Sequence, residues 1–295
     1  MTPGHAIADD APFARAALLL GADAMARLAR ARVLVFGLGG VGSYAVEGLA
    51  RCGVGAFTLV DHDVIGSSNL NRQLGALHST LNHPKVDVWR ERILDINPAA
   101  RVETLRLFYR PEEAGKIDFA AHDCVIDAID TVRAKVDIVL RARDAGVPVL
   151  SCMGMGNRLD PTLVRVGDLA ETAGCPLSRA MRKKLRKAGV EHLRVVYSIE
   201  TPVDVPHVWS NDEHTTAKRP TPGSVAFVPA AAGMALAAEA ARILGCSSPC
   251  AGARTARPPQ NPRAKSAKSA KRVPHRGTEP QSRRTQNSAS SANSA

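Results

Sequence analysis

The sequence predicts an α/β fold, a doubly wound and mostly parallel sheet with helices on both faces. Short apolar segments alternate along the chain with longer amphipathic ones, the pattern of strands joined by crossover helices. The first apolar segment also runs into a glycine-rich turn that opens a helix, in VLVFGLGGVGS. With 295 residues, of which 45% are hydrophobic, the chain can bury a core of this size.

The elements follow from hydrophobic spacing and from start and stop residues. Residues 13–30 carry apolar side chains at helical spacing and predict an opening helix. The expected strands are 33–37, 56–61, about 102–107, 123–127 and 147–152. The expected helices between them are 41–52, 85–96 and 131–145. Because ligands of parallel sheets gather at the carboxyl ends of the strands, we expect the site where GLGGVGS, DHD and DAID follow their strands.

Residues 223–245 form a long apolar segment that could span a bilayer by length. Pro229, Glu239 and Arg242 interrupt it, and charges are costly inside lipid. We interpret it as a buried helix that closes the core, with shallow membrane association as the alternative. The proline-rich residues 201–222 before it predict a long loop that crosses the active site.

The net charge of +11 is concentrated at the C-terminal end. Residues 246–295 contain ten lysines and arginines, one glutamate and no aromatic residue. Such a segment cannot bury enough apolar surface to offset the entropy of ordering it. We therefore predict one globular domain, residues 13–245, followed by a disordered basic tail. The tail would attract polyanions without specificity, or would only aid solubility.

The six cysteines form no CxxC pair, so the sequence gives no local support for a four-thiolate zinc site. Cys124 and Cys152 lie in apolar runs, where free thiols behave as small core residues. The first residues also lack the pattern of a signal peptide. These features predict a cytoplasmic protein. Only Cys175 has a polar setting, in which a nucleophilic thiol is conceivable.

The residues after the first two strands predict a nucleotide site. The turn GLGGVGS supplies glycines that allow close backbone approach, namely Gly37, Gly39, Gly40 and Gly42. The helix that follows can offer its N-terminus to phosphate. Asp61 ends the second strand, where a carboxylate can accept hydrogen bonds from ribose hydroxyls. This arrangement is Rossmann-like and fits NAD and ATP equally well.

A dense set of polar residues at the following strand ends distinguishes an ATP site from an NAD site. The set comprises Asp63, Asn69, Asn71, Arg72, Gln73, Lys85, Asp127, Asp130 and Thr131. A triphosphate needs cations and a carboxylate that can hold Mg²⁺, whereas NAD has only a pyrophosphate. Arg72 and Lys85 could each be solvated, and Asp130 could be a helix N-cap. Their occurrence at successive strand ends favours ATP.

These motifs together resemble the ubiquitin-activating-enzyme superfamily, whose bacterial members serve thiamine and molybdopterin synthesis. They are GxGGVGS, D-x-D, SNLNRQ, a lysine that opens the next helix, and D-x-x-D. Members adenylate a carboxylate with MgATP. The resemblance implies that Asp61 holds the ribose and that Asn69, Arg72 and Lys85 hold the phosphates. It also implies that Asp130 binds the metal ion and that Arg72, Lys85 and Asp130 are the catalytic residues.

Residues 153–202 resemble one branch of that superfamily, which dehydrates N6-threonylcarbamoyladenosine in tRNA to its cyclic form. The implied reaction adenylates the threonyl carboxylate, and the neighbouring carbamoyl group then expels AMP. The alternatives are an adenylyltransferase for a small sulfur-carrier protein and, less favoured, an NAD-dependent oxidoreductase. The resemblance also implies a homodimer. In relatives, one arginine of the first helix reaches a phosphate across the dimer, but PFARAALLLG has Pro12 and Leu18 at the matching places, and Arg15 is not in register. The sequence leaves open whether a sulfurtransferase is a partner.

A cationic helix supports an RNA substrate. Leu177, Met181 and Leu185 recur every four residues and predict a buried seam. The rest of the surface at 179–187 carries six cations, which we predict to bind RNA phosphates: Arg179, Arg182, Lys183, Lys184, Arg186 and Lys187. The alternative is a solvated helix face.

Overall fold

The chain was analysed as a computed structural model, which describes residues 11–206 and 221–245. The predicted tail at 246–295 and most of the predicted loop at 201–222 lie outside these residues.

The described part contains a seven-stranded sheet and seven α-helices. The strands are β1 (Arg32–Phe36), β2 (Ala56–Val60), β3 (Arg101–Leu105), β4 (Cys124–Asp127), β5 (Val149–Cys152), β6 (Val164–Asp168) and β7 (Arg194–Ser198). The helices are α1 (Ala14–Leu20), α2 (Ala22–Leu28), α3 (Gly42–Arg51), α4 (Lys85–Ile96), α5 (Val132–Asp144), α6 (Pro176–Lys187) and α7 (Phe227–Gly245).

The sheet has the order β3-β2-β1-β4-β5-β7-β6. All neighbours are parallel except β6 and β7, which pair antiparallel. Val35 of β1 lies beside Leu59 on one side and Ile126 on the other, so β1 occupies the buried centre. The predicted doubly wound, mostly parallel sheet is confirmed. The order reverses at β1, which places the carboxyl ends of β1, β2 and β4 around one crevice.

The single opening helix predicted over residues 13–30 is wrong in one respect, because it is two helices. Gly21 lies between α1 and α2 with φ of 85° and ψ of 155°, a conformation that ends a helix and that glycine adopts without steric cost. Beyond the break, Leu28 of α2 is fully buried, whereas Leu19 of α1 is 89% exposed. The second half of the predicted helix therefore supplies more of the core, and Ala14 is the buried residue of the first half.

The predicted buried helix at 223–245 is observed as α7. It is long and apolar enough to cross a membrane, but 50% of its most apolar window is buried inside the protein. It packs closely on α3: a Cβ at Gly48 would lie 2.7 Å from that of Ala237, and one at Gly233 would lie 2.4 Å from the carbonyl oxygen of Val41. These contacts make α7 a helix of the protein core.

Candidate nucleotide-binding site

A cleft of about 280 Å³ opens at the carboxyl ends of β1, β2 and β4. It is the crevice at which open parallel sheets bind ligands. Ten of the predicted site residues line it: Gly37, Gly39, Gly40, Asp61, Asp63, Arg72, Gln73, Lys85, Asp130 and Thr131. The cleft lining does not include the other four predicted nucleotide ligands, Gly42, Asn69, Asn71 and Asp127.

The glycine turn is closed by contacts that exclude side chains. Gly37 has φ of +88°, and a Cβ there would lie 3.0 Å from the carbonyl oxygen of Ala128 in the neighbouring strand end. A Cβ at Gly42 would lie 1.8 Å from the carbonyl oxygen of Gly37. Gly42 is therefore required to fold the turn back on itself and to start α3, rather than to contact a ligand.

Asp61 fixes the turn against the end of β2. One carboxylate oxygen accepts the Leu38 N–H at 2.6 Å, and the other accepts the Asp63 N–H at 2.9 Å. The side chain is largely buried but faces the cleft. Each oxygen keeps a second lone pair, so the carboxylate can still accept hydrogen bonds from two neighbouring hydroxyls, as a ribose presents them.

Lys85 is held in the cleft by an ion pair. Its ammonium lies 2.7 Å from a carboxylate oxygen of Asp63, and the lysine is only 5% exposed. The other oxygen of Asp63 lies 3.0 Å from Nε2 of His62. Asp63 therefore positions Lys85. An ammonium has three donors, so Lys85 can bind an anion without leaving Asp63.

The segment SSNLNRQ is a short loop shaped by its own asparagines. Asn69 accepts the Gly66 N–H at 3.1 Å, and Asn71 donates to the carbonyl oxygen of Ser224 at 2.9 Å. Arg72 donates to the carbonyl oxygen of Ser68 at 2.8 Å and to Asn71 at 3.0 Å. Both asparagines lie outside the cleft lining, where they hold the loop that presents Arg72 to it.

Asp130 is the cleft carboxylate that best fits Mg²⁺. The N-cap residue of α5 is Thr131, so the alternative role of Asp130 as an N-cap is not observed. Asp130 is exposed, and no cation pairs with it in the described part of the chain. Asp61, His62 and Asp63 also place ligand atoms within 4.8 Å of one another. However, Lys85 already neutralises Asp63, and Mg²⁺ prefers oxygen ligands to imidazole.

Asp127 lies beneath the cleft, in contrast to its predicted contact with the nucleotide. It is fully buried, accepts the Ser151 hydroxyl at 2.6 Å and pairs at 2.9 Å with Lys135, which is also fully buried. Lys135 donates in turn to the carbonyl oxygen of Ile129 at 3.0 Å, in the loop that lines the cleft. The ion pair therefore supports this loop from below.

Two features of the site were missed from the sequence. Lys135 shares the buried face of α5 with Ile138, which helical spacing could have shown. The second feature is an aromatic wall after β3, where Tyr109 contacts Phe36 edge-on at 4.7 Å between ring centroids. Burial and its 2.7 Å hydrogen bond to Asp137 raise the pKa of Tyr109, so the ring stays neutral. The residues that follow β3 could have been predicted to line the site, because the carboxyl end of β3 faces the same crevice.

The cationic helix is α6, and its predicted seam is present. Met181 and Leu185 are buried, and Leu177 packs against the same cluster. Arg182 differs from the other cations because its guanidinium donates to the carbonyl oxygens of Thr172 and Leu169, at 2.6 and 3.2 Å. It therefore fixes the preceding turn. The cations that remain exposed are Arg179, Lys183, Lys184, Arg186 and Lys187.

The fold and the cleft define a nucleotide-binding α/β protein of the doubly wound class. Residues 13–282 match the model of the ThiF family, and the chain belongs to that family.

Three relatives show how far the similarity extends. The chain is 40% identical over 228 residues to a tRNA threonylcarbamoyladenosine dehydratase of Bacillus subtilis, covering 75% of this chain and 90% of that protein. A crystal structure of the Escherichia coli tRNA N6-threonylcarbamoyladenosine dehydratase with AMP matches at a TM-score of 0.71 and 32% identity, over 82% of this chain and 97% of that one. A molybdopterin-synthase adenylyltransferase of Escherichia coli is 35% identical over 129 residues, covering 44% of this chain and 51% of that protein.

Proposed function

We propose that this chain is an ATP-dependent dehydratase of N6-threonylcarbamoyladenosine in tRNA. The observation that carries the proposal is the extent of similarity to dehydratases, which takes in both halves of the sheet. The similarity to the adenylyltransferase covers less than half of the chain. An Escherichia coli relative has also been crystallised with ATP. Activation of a sulfur-carrier protein is therefore the second candidate.

The cleft suits the first step, in which a threonyl carboxylate attacks the α-phosphate of ATP and pyrophosphate leaves. We place the adenine against the aromatic wall at Tyr109, the ribose at Asp61 and the phosphates between the glycine turn, Arg72 and Lys85. Negative charge grows on the departing pyrophosphate, and preorganised cations stabilise it. Mg²⁺, held by Asp130, would neutralise further charge on the phosphates.

The second step needs no nucleophile from the protein. The acyl adenylate carries AMP as a good leaving group, and the neighbouring carbamoyl group displaces it in an intramolecular ring closure. Holding the two groups together replaces a bimolecular reaction by a unimolecular one. No sulfur is transferred, so the cleft chemistry itself calls for no sulfurtransferase partner.

We further propose that the exposed cations of α6 contact the tRNA backbone. Five cations on one face of a short helix attract phosphates, and each contact adds about 0.7–0.9 to the salt slope of binding. Reversal of two charges, Lys183→Glu with Lys184→Glu, should weaken tRNA binding and flatten its salt dependence.

We also propose that the protein is a cytoplasmic homodimer. Sedimentation of the purified chain can test the dimer.

Incubation of the full chain with ATP and tRNA that carries threonylcarbamoyladenosine tests the reaction. AMP release and loss of one water from the nucleoside are expected, and a sulfur-carrier protein in place of tRNA should release no AMP. Arg72→Ala and Lys85→Ala should each reduce turnover by about a hundredfold or more. AMP binding should weaken only slightly, because the cations act on the departing pyrophosphate. Arg90→Ala removes an exposed cation from α4 and serves as the control.

A second variant separates the metal from the cations. Asp130→Asn should lower turnover, and added Mg²⁺ should restore part of it, because the amide still offers a weaker oxygen ligand. The same additions should not rescue Arg72→Ala. Near-normal turnover of the Arg72 and Lys85 variants, or tight NAD binding by the wild type, would contradict the proposed site.

A further inference from the structure

Three buried hydrogen-bond donors outside the cleft have no acceptor. They are Nε and Nη2 of Arg158 and the hydroxyl of Ser178. Arg158 is 3% exposed and Ser178 is fully buried. Within residues 11–206 and 221–245, no carboxylate forms an ion pair with Arg158. A buried cation without an anion is strongly destabilising, so the arrangement requires a negative group at this place.

The two residues that carry these donors are linked to Cys175, Arg158 through Gly154 and Ser178 through the first turn of α6. Arg158 donates through Nη1 to the carbonyl oxygens of Gly154 and Gly156, at 2.6 and 3.1 Å. Gly154 faces the thiol on its other side, since a Cβ there would lie 3.4 Å from Sγ of Cys175. Ser178 follows three residues later, in the first turn of α6, and Cys175 is the N-cap residue of that helix. The partial positive charge of the helix N-terminus therefore adds to that of Arg158.

The groups around Cys175 lower the pKa of its thiol, which favours a negative sulfur beside these donors. Burial by itself would raise the pKa of the Cys175 thiol, but the nearby polar groups of Ser178 and the Gly154 N–H, together with the charge of Arg158, lower it below the ordinary value. The other buried thiols differ, because burial raises the pKa of Cys124 and of Cys152 to about 12.

We infer that Cys175 is a thiolate in the folded protein, paired with Arg158, and that it is a site of modification by small soft electrophiles such as hydrogen peroxide. The thiolate sulfur attacks one peroxide oxygen, the O–O bond breaks, and the departing hydroxide takes a proton from solvent to form water. The product is a sulfenic acid at Cys175. Cys175 is only 4% exposed, which restricts the site to small reagents.

A neutral adduct at this site, such as the thioether formed with a small alkylating electrophile, removes the anion that Arg158 requires. The loop after β5 and the start of α6 are joined through this contact, so a neutral adduct leaves a buried guanidinium uncompensated between them. The modified protein should therefore be less stable than the reduced protein, although no group of the nucleotide cleft has changed.

Titration of the thiolate absorbance in the far ultraviolet tests the ionisation without any need for reagent access. The full-length wild type is compared with Cys175→Asp, and the difference reports Cys175 alone. The expected midpoint lies below the ordinary thiol value of about 8.5. Arg158→Met should raise this midpoint, whereas Arg165→Met, which removes an exposed arginine, should not. A wild-type midpoint at or above the ordinary value overturns the inference, whether or not the Arg158 variant folds.

Two further measurements test whether Arg158 requires a negative partner and whether the Cys175 thiol is the most reactive one. Cys175→Asp supplies a permanent negative charge and should unfold at a higher temperature than Cys175→Ala; the reverse order would refute the pairing with Arg158. Dilute peroxide followed by peptide mass mapping should add oxygen to Cys175 before Cys124 or Cys152. Reaction of either of those two thiols first would refute the modification site.

Discussion

Replacement of Lys135 by methionine tests the buried ion pair beneath the cleft. The pair joins Lys135 and Asp127 at 2.9 Å, with both side chains fully buried. At an effective dielectric constant of about 20, their attraction is roughly 6 kcal/mol, and desolvation offsets much of it. Removal of one partner leaves an uncompensated buried charge, which costs about 3–5 kcal/mol. The free energy of unfolding of a single domain is about 5–15 kcal/mol, so Lys135→Met should remove a large share of it.

Urea unfolding of the full chain measures this loss, with tryptophan fluorescence, to which the buried Trp89 contributes, as the probe. The double variant Asp127→Leu, Lys135→Met removes both charges and should be more stable than Lys135→Met alone. Arg133→Met is the matched control on the same helix, because Arg133 forms an exposed ion pair with Glu112 and should change stability by less than about 1 kcal/mol. A similarly small loss in Lys135→Met would refute the reasoning.

Three further outcomes are expected. Burial lowers the pKa of His122 in the folded protein. The contribution of His122 to stability is therefore fully present above the ordinary histidine pKa of about 6.5, and it is lost as the pH falls through the lower pKa of the folded state. Thermal unfolding between neutral and acidic pH should show this loss, and His122→Gln should reduce it. Gly42→Ala should abolish AMP binding measured by calorimetry, because its Cβ would lie 1.8 Å from a carbonyl oxygen, whereas Gly115→Ala has open space and should bind normally. A chain that ends at Gly245 should release AMP from saturating tRNA like the full chain but bind tRNA more weakly at low salt; loss of turnover would contradict a tail that adds only affinity.

The strands that a reader of the sequence can predict are those with continuous apolar residues. β1, β2, β4 and β5 are buried on both faces, and their predicted bounds differ from the observed ones by one or two residues. The strand β6 was not predicted, because it lies at the sheet edge and reads VRVGD, with two charged residues and a glycine where a buried strand has apolar residues. Its antiparallel partner β7 was not predicted either, because Val195 and Val196 are its only apolar buried residues and make too short an apolar run.

The positions of the cleft residues were predictable where the backbone alone decides them. Parallel strand ends bring Asp61 and Asp130 to one crevice, whatever their side chains do. Partners of side chains depend on contacts between distant parts of the chain. Asn71 donates to Ser224, which lies 153 residues further along, and no local pattern in the sequence indicates that bond. For the same reason the role of Asn71 in holding the loop was not predicted.

Asn157 joins two points of the chain that are twenty residues apart, Val203 and Gly223. Its carbonyl oxygen accepts the Val203 N–H at 2.7 Å, while its N–H and side chain bond to Gly223 at 2.8 and 2.6 Å. Residues 203 and 223 are thus both anchored to a single residue. Because closing a loop costs only slightly more free energy as it lengthens, insertions between these points should be tolerated. The same geometry makes this segment the natural place for new termini in a circularly permuted protein.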